Sequence, residues 1–327
     1  MPNRALAVNQ RVFENANLAI TTHGSDWYFA VCAVMSASFL AVVVLTFRKP
    51  RRDRLFHYMS AGLLLVAAIA YFSMGSGLGQ VPIEVEFRRG GSLRVAGTRE
   101  IFWVRYVDWF ITTPLLLLDL LLTAGLPWPT ILMAILADEV MVVCGLVGAL
   151  IPTTYKWGYF TFATVAFLYV VSVLVFDGRS HARAFGGEIQ RTYMTCGVLL
   201  IGIWFLYPIA WGVSEGGNVI HPDSEAVFYG ILDLIAKPVF TGLLLFGHRK
   251  IDPGVLGVAI REPGPMNSGH AEKHAIGQST GVASAAAAHN GHGNGASSSG
   301  VQPTAAAHNG HHAAQTNLAP ATVPTAV

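Results

Sequence analysis

Apolar residues in this chain gather into seven long runs, at about 26–47, 56–78, 101–122, 128–150, 157–176, 192–213 and 225–247. Each is near the roughly 20 residues that a helix needs to cross a bilayer. The pattern predicts an all-α membrane protein, a seven-transmembrane helix bundle over 26–250, with a polar segment at 1–25 before it and a tail at 251–327 after it. Residues 1–25 lack the basic-then-apolar order of a signal peptide, so the first run serves as its own insertion signal. Between the second and third runs the period changes. Ile83-Glu-Val-Glu-Phe87 and Ser92-Leu-Arg-Val-Ala96 alternate apolar and polar around Arg88-Arg-Gly-Gly91, which predicts a β-hairpin.

After Arg261 the character changes again, with Gly, Ala, Ser, Pro and His dominating to Val327 and no apolar period that could build a core. This reads as a disordered tail. It repeats His-Asn-Gly-His at 289–292 and 308–311, either simple low complexity or a weak holder of a divalent metal; no metal site is assigned. Composition agrees with the runs: 53% of residues are hydrophobic and 12% charged, and the mean hydropathy is +0.48. These values exclude an ordinary soluble enzyme. The net charge of +2 gives no reason to expect nucleic acid as a partner. Cys32, Cys144 and Cys196 each fall inside an apolar run and read as small core residues rather than a disulfide framework.

Basic residues orient the bundle. The loop Arg48-Lys49-Pro50-Arg51-Arg52-Asp53-Arg54 belongs in the cytoplasm by the positive-inside rule, which places the N-terminus outside and, after seven spans, the C-terminus inside. Arg179, Arg183, Arg191, Arg249 and Lys250 agree. Arg88, Arg89, Arg94 and Arg99 oppose this, only partly balanced by Glu84, Glu86 and Glu100.

The last run holds Lys237 near its middle, with Asp233 one turn before it on the same face. A charge at bilayer depth costs roughly 2.5 to 3.5 kcal/mol on insertion scales. Two readings are open: a buried structural ion pair, or a desolvated lysine that holds a carbonyl cofactor as a Schiff base. The third run reads Arg105-Tyr-Val-Asp108-Trp109-Phe-Ile-Thr112-Thr113-Pro114-Leu-Leu-Leu-Leu-Asp119. Eleven residues of helix place Asp108 and Asp119 about 16 Å apart on one face. Arg105 and Thr112, a turn to either side of Asp108, are expected to hold its carboxylate ionised and hydrogen-bonded. The leucines around Asp119 favour an uncharged carboxyl that can give up its proton later. Trp204, Tyr207, Pro208 and Trp211 share a face of the sixth run. With Trp109 and Tyr71 they form either the walls of a long apolar slot around Lys237 or ordinary helix packing. Glu215 and Glu225 meet at one outer rim, sharing a proton or merely solvated, and Asp138 faces the bundle interior better than Glu139 does.

As a set these residues closely resemble the microbial (type 1) rhodopsins, especially bacteriorhodopsin and the fungal rhodopsins with proton-pump residues. The resemblance covers about 26–250 and rests on Asp233-x-x-x-Lys237, the Arg105 to Asp119 stretch, and Trp204-x-x-Tyr207-Pro208-x-x-Trp211. It implies all-trans retinal bound as a protonated Schiff base to Lys237, Asp108 and Asp233 as counterions, and Arg105 beneath them. It further implies Asp108 as proton acceptor, Asp119 as donor, and Glu215 with Glu225 as the outer release pair. Tyr71, Trp109, Thr113, Met141, Gly145, Trp204, Tyr207, Pro208 and Trp211 match retinal-pocket positions, and Asp138 matches the family's aspartate on the fourth helix. Cys144 and Phe160 depart from the archaeal pump's threonine and tryptophan, which affects colour.

The resemblance implies a light-driven outward proton pump in the plasma membrane rather than an enzyme. Its partners would be retinal, lipid and protons, and a homo-oligomer is compatible with it. The main rival is a photosensory rhodopsin that signals through a partner; a chromophore-free opsin that assists folding of other membrane proteins is disfavoured by Lys237 and Asp108. Asp108/Thr112/Asp119 fits neither the chloride nor the sodium pumps of the family.

Overall fold

The computed structural model describes residues 3–9, 16–87 and 97–261. Among them, seven helices are long and apolar enough to cross a membrane: α1 (Thr22–Phe47), α2 (Leu55–Gly75), α3 (Trp103–Thr123), α4 (Trp128–Leu150), α5 (Lys156–Phe185), α6 (Gly187–Gly216) and α7 (Pro222–Lys250). They follow the seven apolar runs. In its most apolar stretch α3 is 61% buried against 22% for α1, which makes α3 a central helix and α1 a lipid-facing one. The acids of the third run therefore lie in the interior.

Local chemistry sets the helix ends. The Thr21 side chain caps α1 by accepting from the His23 N–H, and its own hydroxyl donates to Asp223 Oδ2 at 2.7 Å. The first and last helices are thus latched at one end of the bundle. Gly125 turns the chain from α3 to α4 at φ +69, where a Cβ would collide with the Phe185 ring. Pro208 has no N–H for the Trp204 carbonyl, and the helix is interrupted at Phe205. Wider π-type turns occupy Gly212–Gly216 in α6 and Ile235–Val239 in α7.

A short antiparallel ladder joins α2 to α3. Here the structure departs from the sequence expectation: the strands are β1 (Val81–Glu84) and β2 (Thr98–Ile101), with Val81 opposite Ile101 and Glu84 opposite Thr98. Residues 88–96, which carry the expected turn and second strand, lie outside the described residues. Leu18 adds to the far side of β2, donating its N–H to the Thr98 carbonyl and accepting from the Glu100 N–H. This hairpin end carries the N-terminus of α1; the opposite end carries the α1–α2 loop and the last turn of α7. Packing continues past residue 250: Ile251 and Leu256 are buried, and the Ile260 N–H donates to the Arg52 carbonyl. The tail's low-complexity stretch, with both histidine repeats, lies outside the described residues.

Candidate functional site

Four buried residues descend α7 at intervals of four: Glu225, Tyr229, Asp233 and Lys237. Lys237 lies in the π-type turn, beside Pro238, which cannot donate to the Leu234 carbonyl. Its Nζ is 2.6 Å from Asp108 Oδ2 on α3 and 3.0 Å from Asp233 Oδ2. One cation thus bridges two carboxylates on facing helices. Asp233 is fixed further by hydroxyls, accepting from Tyr71 at 2.7 Å and Tyr207 at 2.6 Å. Asp108 Oδ1 has no hydrogen-bond partner among the described residues.

Beside Lys237 opens a predominantly apolar cavity. Trp109, Thr113, Met141, Gly145, Trp204, Tyr207, Pro208 and Trp211 line it, together with Asp233 and Lys237. The aromatic stripe of α6 is therefore a wall and not only packing. Trp211 Nε1 donates to the Gly145 carbonyl at 3.2 Å, which ties α6 to α4. Gly145 admits the Tyr106 ring, which a Cβ would meet at 3.4 Å. Phe160 also lines the cavity. Tyr71 and Asp138 stand one step behind the wall. Tyr71 reaches the site through Asp233, and Asp138 Oδ2 lies 2.6 Å from the Thr113 hydroxyl.

One expectation about Asp108 needs correction. Arg105 does not hold it: the guanidinium runs the other way, to Glu215 at 2.9 Å, Glu225 at 2.7 Å and the Tyr28 hydroxyl at 2.9 Å. Side chains on a helix lean toward its N-terminus, so an arginine one turn before an aspartate points away from it. The Thr112 hydroxyl donates to the Asp108 backbone carbonyl at 2.8 Å, the usual back-bond of a threonine in an apolar helix. Glu215 and Glu225 are not solvated rim charges, because both are buried.

Asp119 is fully buried, with Ser60 Oγ at 3.4 Å from its Oδ2. The Thr123 hydroxyl donates to the Asp119 backbone carbonyl at 2.6 Å and lies 3.2 Å from His248 Nε2. Sequence reasoning missed Ser60, Thr123 and His248 here. It also missed Tyr28, Arg99, Tyr106, Lys156 and Tyr229 at the hairpin end. The spacing of four along α7 was a signal for Tyr229, and nothing comparable marks Arg99.

The donor set fits a carbonyl chromophore. A primary amine sits among apolar and aromatic walls, between two carboxylates suited to neutralise a cation. The model of the family described as "Bacteriorhodopsin-like protein" matches residues 23–251. The chain belongs to this family. These microbial rhodopsins are light-driven transporters and photoreceptors, not enzymes, and membership implies a retinal chromophore in an integral, multi-pass membrane protein. Among known rhodopsins, the chain is 57% identical to the Opsin-like protein carO of Fusarium fujikuroi over 285 residues, 83% of this chain and 92% of that protein. Two solved structures are similar throughout the bundle. The light-driven proton pump Coccomyxa subellipsoidea Rhodopsin CsR is 36% identical with a TM-score of 0.67, covering 71% of this chain and 99% of its own. The light-driven proton pump LR (Mac) from Leptosphaeria maculans is 35% identical with the same TM-score, covering 71% and 98%.

Proposed function

We propose that this rhodopsin is a light-driven outward proton pump of the plasma membrane, with all-trans retinal joined to Lys237. Retinal held there as a protonated Schiff base supplies the absorption of light and a nitrogen-bound proton whose surroundings change on illumination. The observation that carries the reading is the buried Asp119, a second carboxyl on the helix that positions Asp108. Asp108 and Asp233 stabilise a cation at the lysine nitrogen, and the two hydroxyls on Asp233 leave Asp108 Oδ1 the freer site for a proton. From Asp108 the route outward leads toward Arg105, Glu215 and Glu225. From the other end, Asp119 returns a proton toward the centre.

The hairpin end is taken as extracellular. Arg48, Lys49, Arg51, Arg52 and Arg54 gather at the opposite end. Of the basic residues that opposed this orientation, Arg99 is neutralised by a buried pairing with Glu225 at 2.6 Å.

The test is light-induced acidification by the full-length protein in yeast cells supplied with all-trans retinal, measured with and without a protonophore. The pump reading requires acidification that the protonophore abolishes. A pigment that cycles under light without moving protons across the membrane leaves the photosensory alternative in its place.

A further inference from the structure

The hairpin end holds two buried cations that the sequence pattern did not assign to it, Arg99 and Lys156, and Arg99 is the one that reaches a carboxylate. Glu225 is gripped from both sides, Arg105 Nη1 donating to Oε1 at 2.7 Å and Arg99 Nη2 donating to Oε2 at 2.6 Å. Arg99 is itself fixed. Its Nη1 donates to Asn218 Oδ1 at 2.8 Å and to the Ile220 carbonyl at 2.7 Å, and its backbone lies in β2 between β1 and Leu18. Asn218 is held in turn, with left-handed backbone at φ 49 and its Nδ2 donating to the Phe87 carbonyl at 3.0 Å.

Glu215 stands differently. Its Oε1 accepts from Arg105 Nη1 at 2.9 Å and from the Tyr106 hydroxyl at 3.2 Å, while its Oε2 meets the Tyr229 hydroxyl at 3.0 Å. A proton on either oxygen of Glu225 would point at a guanidinium N–H. A proton on Glu215 Oε2 points at a phenol oxygen, which can accept it. We propose that Arg99 pins Glu225 as a fixed anion, so that the two outer carboxyls do not share a proton and the proton released outward is held by Glu215 against Tyr229.

The other charged and titratable groups around the pair leave this division intact. Lys156 on α5 donates to the Glu215 backbone carbonyl at 3.1 Å rather than to its carboxyl. Glu86 lies beside Lys156, Glu100 accepts from the Ile20 N–H at 2.8 Å, and the Tyr28 hydroxyl accepts from Arg105. Each cycle would move one proton from Glu215 Oε2 to outside water and return one from the centre, with no other reactant. The proposal rests on the pump reading for the direction of release, but the resting location of the proton is independent of it.

The experiment uses the full-length pigment in nanodiscs, with infrared difference spectroscopy of the protonated-carboxyl C=O stretch and a pH dye following release after a flash. The expected band is lost in Glu215→Gln, together with prompt release, and persists in Glu225→Gln. In Arg99→Gln the band should respond to either glutamate substitution, because the pair can then share its proton; Arg99→Lys should restore the wild-type pattern. A band lost in Glu225→Gln, lost equally in both single variants, or missing from wild type overturns the proposal. If Arg99→Gln does not fold, the two glutamate variants and Arg99→Lys still decide it. Absence of light-driven transport with the Glu215 band in place overturns the pump reading alone.

Discussion

On the hairpin side of Lys237, Arg105 touches Glu215, Glu225 and Tyr28 within 2.9 Å, and Arg99, Tyr106, Lys156 and Tyr229 complete a buried network linked by hydrogen bonds. On the opposite side the same helix presents Asp119 among leucines, with a hydroxyl contact at 3.4 Å, near the limit of a hydrogen bond. A chain of charged, hydrogen-bonded groups can shift a proton with small movements. An isolated buried acid cannot exchange until its surroundings open. Beyond Asp119 lie Thr123 and His248, the latter's ring tilted against Phe56 with centroids 4.0 Å apart. A wider and more polar cavity follows, lined by Lys49, Arg52, His57 and Asp252 among others. On the pump reading, the hairpin half is a hydrogen-bonded network at rest and the other half a gate, an asymmetry that would give transport its direction.

The comparison fails if the centre is misplaced, so the largest expected effect is at Lys237. Lys237→Ala should leave a folded, colourless protein, because it removes the amine between Asp108 and Asp233. A visible pigment in the washed variant after retinal addition would assign the attachment elsewhere. Asp108→Asn comes next. It removes the carboxylate at 2.6 Å from the lysine nitrogen, so light-driven acidification should stop and the absorption maximum should move to the red. An unchanged spectrum with normal acidification dismisses Asp108 as acceptor.

The gated half is tested by Asp119→Asn. Colour and prompt release at the hairpin end should survive, since neither depends on that carboxyl. The late phase of the flash-induced absorbance change should slow by about 10²-fold, the scale of a lost general acid, and should become strongly pH-dependent. Azide, a mobile proton carrier, should restore part of the rate. A late phase that matches wild type from about pH 5 to 9, the range in which proton supply from bulk changes most, makes Asp119 a structural acid.

The two halves also differed in how much the sequence revealed. Asp233 with Lys237, and Asp108 with Asp119, are relations within one helix, and the helical period alone places each pair on a shared face. The apolar runs predicted all seven spans for the same reason: the bilayer imposes length and polarity on each segment separately. The hairpin end is assembled from contacts between distant parts of the chain, such as Arg99 with Glu225 and Lys156 with the Glu215 carbonyl. No local period encodes these contacts. Arg99 looked like an ordinary loop charge, and its inward course depends on the register of β2 against β1 and Leu18. The Arg105 expectation failed for a related reason, since spacing gives proximity along a helix while the lean of the side chain decides which neighbour is reached.

The smallest effect concerns how each end is fastened. At the hairpin end, Thr21 caps α1 and donates to Asp223 on α7, while the Thr21 N–H donates to Asp223 Oδ1 at 2.8 Å. At the opposite end, Arg52 meets Asp252 at 2.8 Å, but both side chains are more than half exposed. Water screens an exposed pair, whereas a cap satisfies a helix-end N–H that has no intrahelical partner. Thr21→Ala should therefore destabilise the pigment by about 1 kcal/mol, the usual cost of a lost N-cap, and should lower its thermal bleaching temperature without changing its colour. Asp252→Asn should leave that temperature unchanged. Equal losses in the two variants would mean that both ends are fastened alike, and the contrast between a connected, braced half and a gated half would then rest on their buried charges alone.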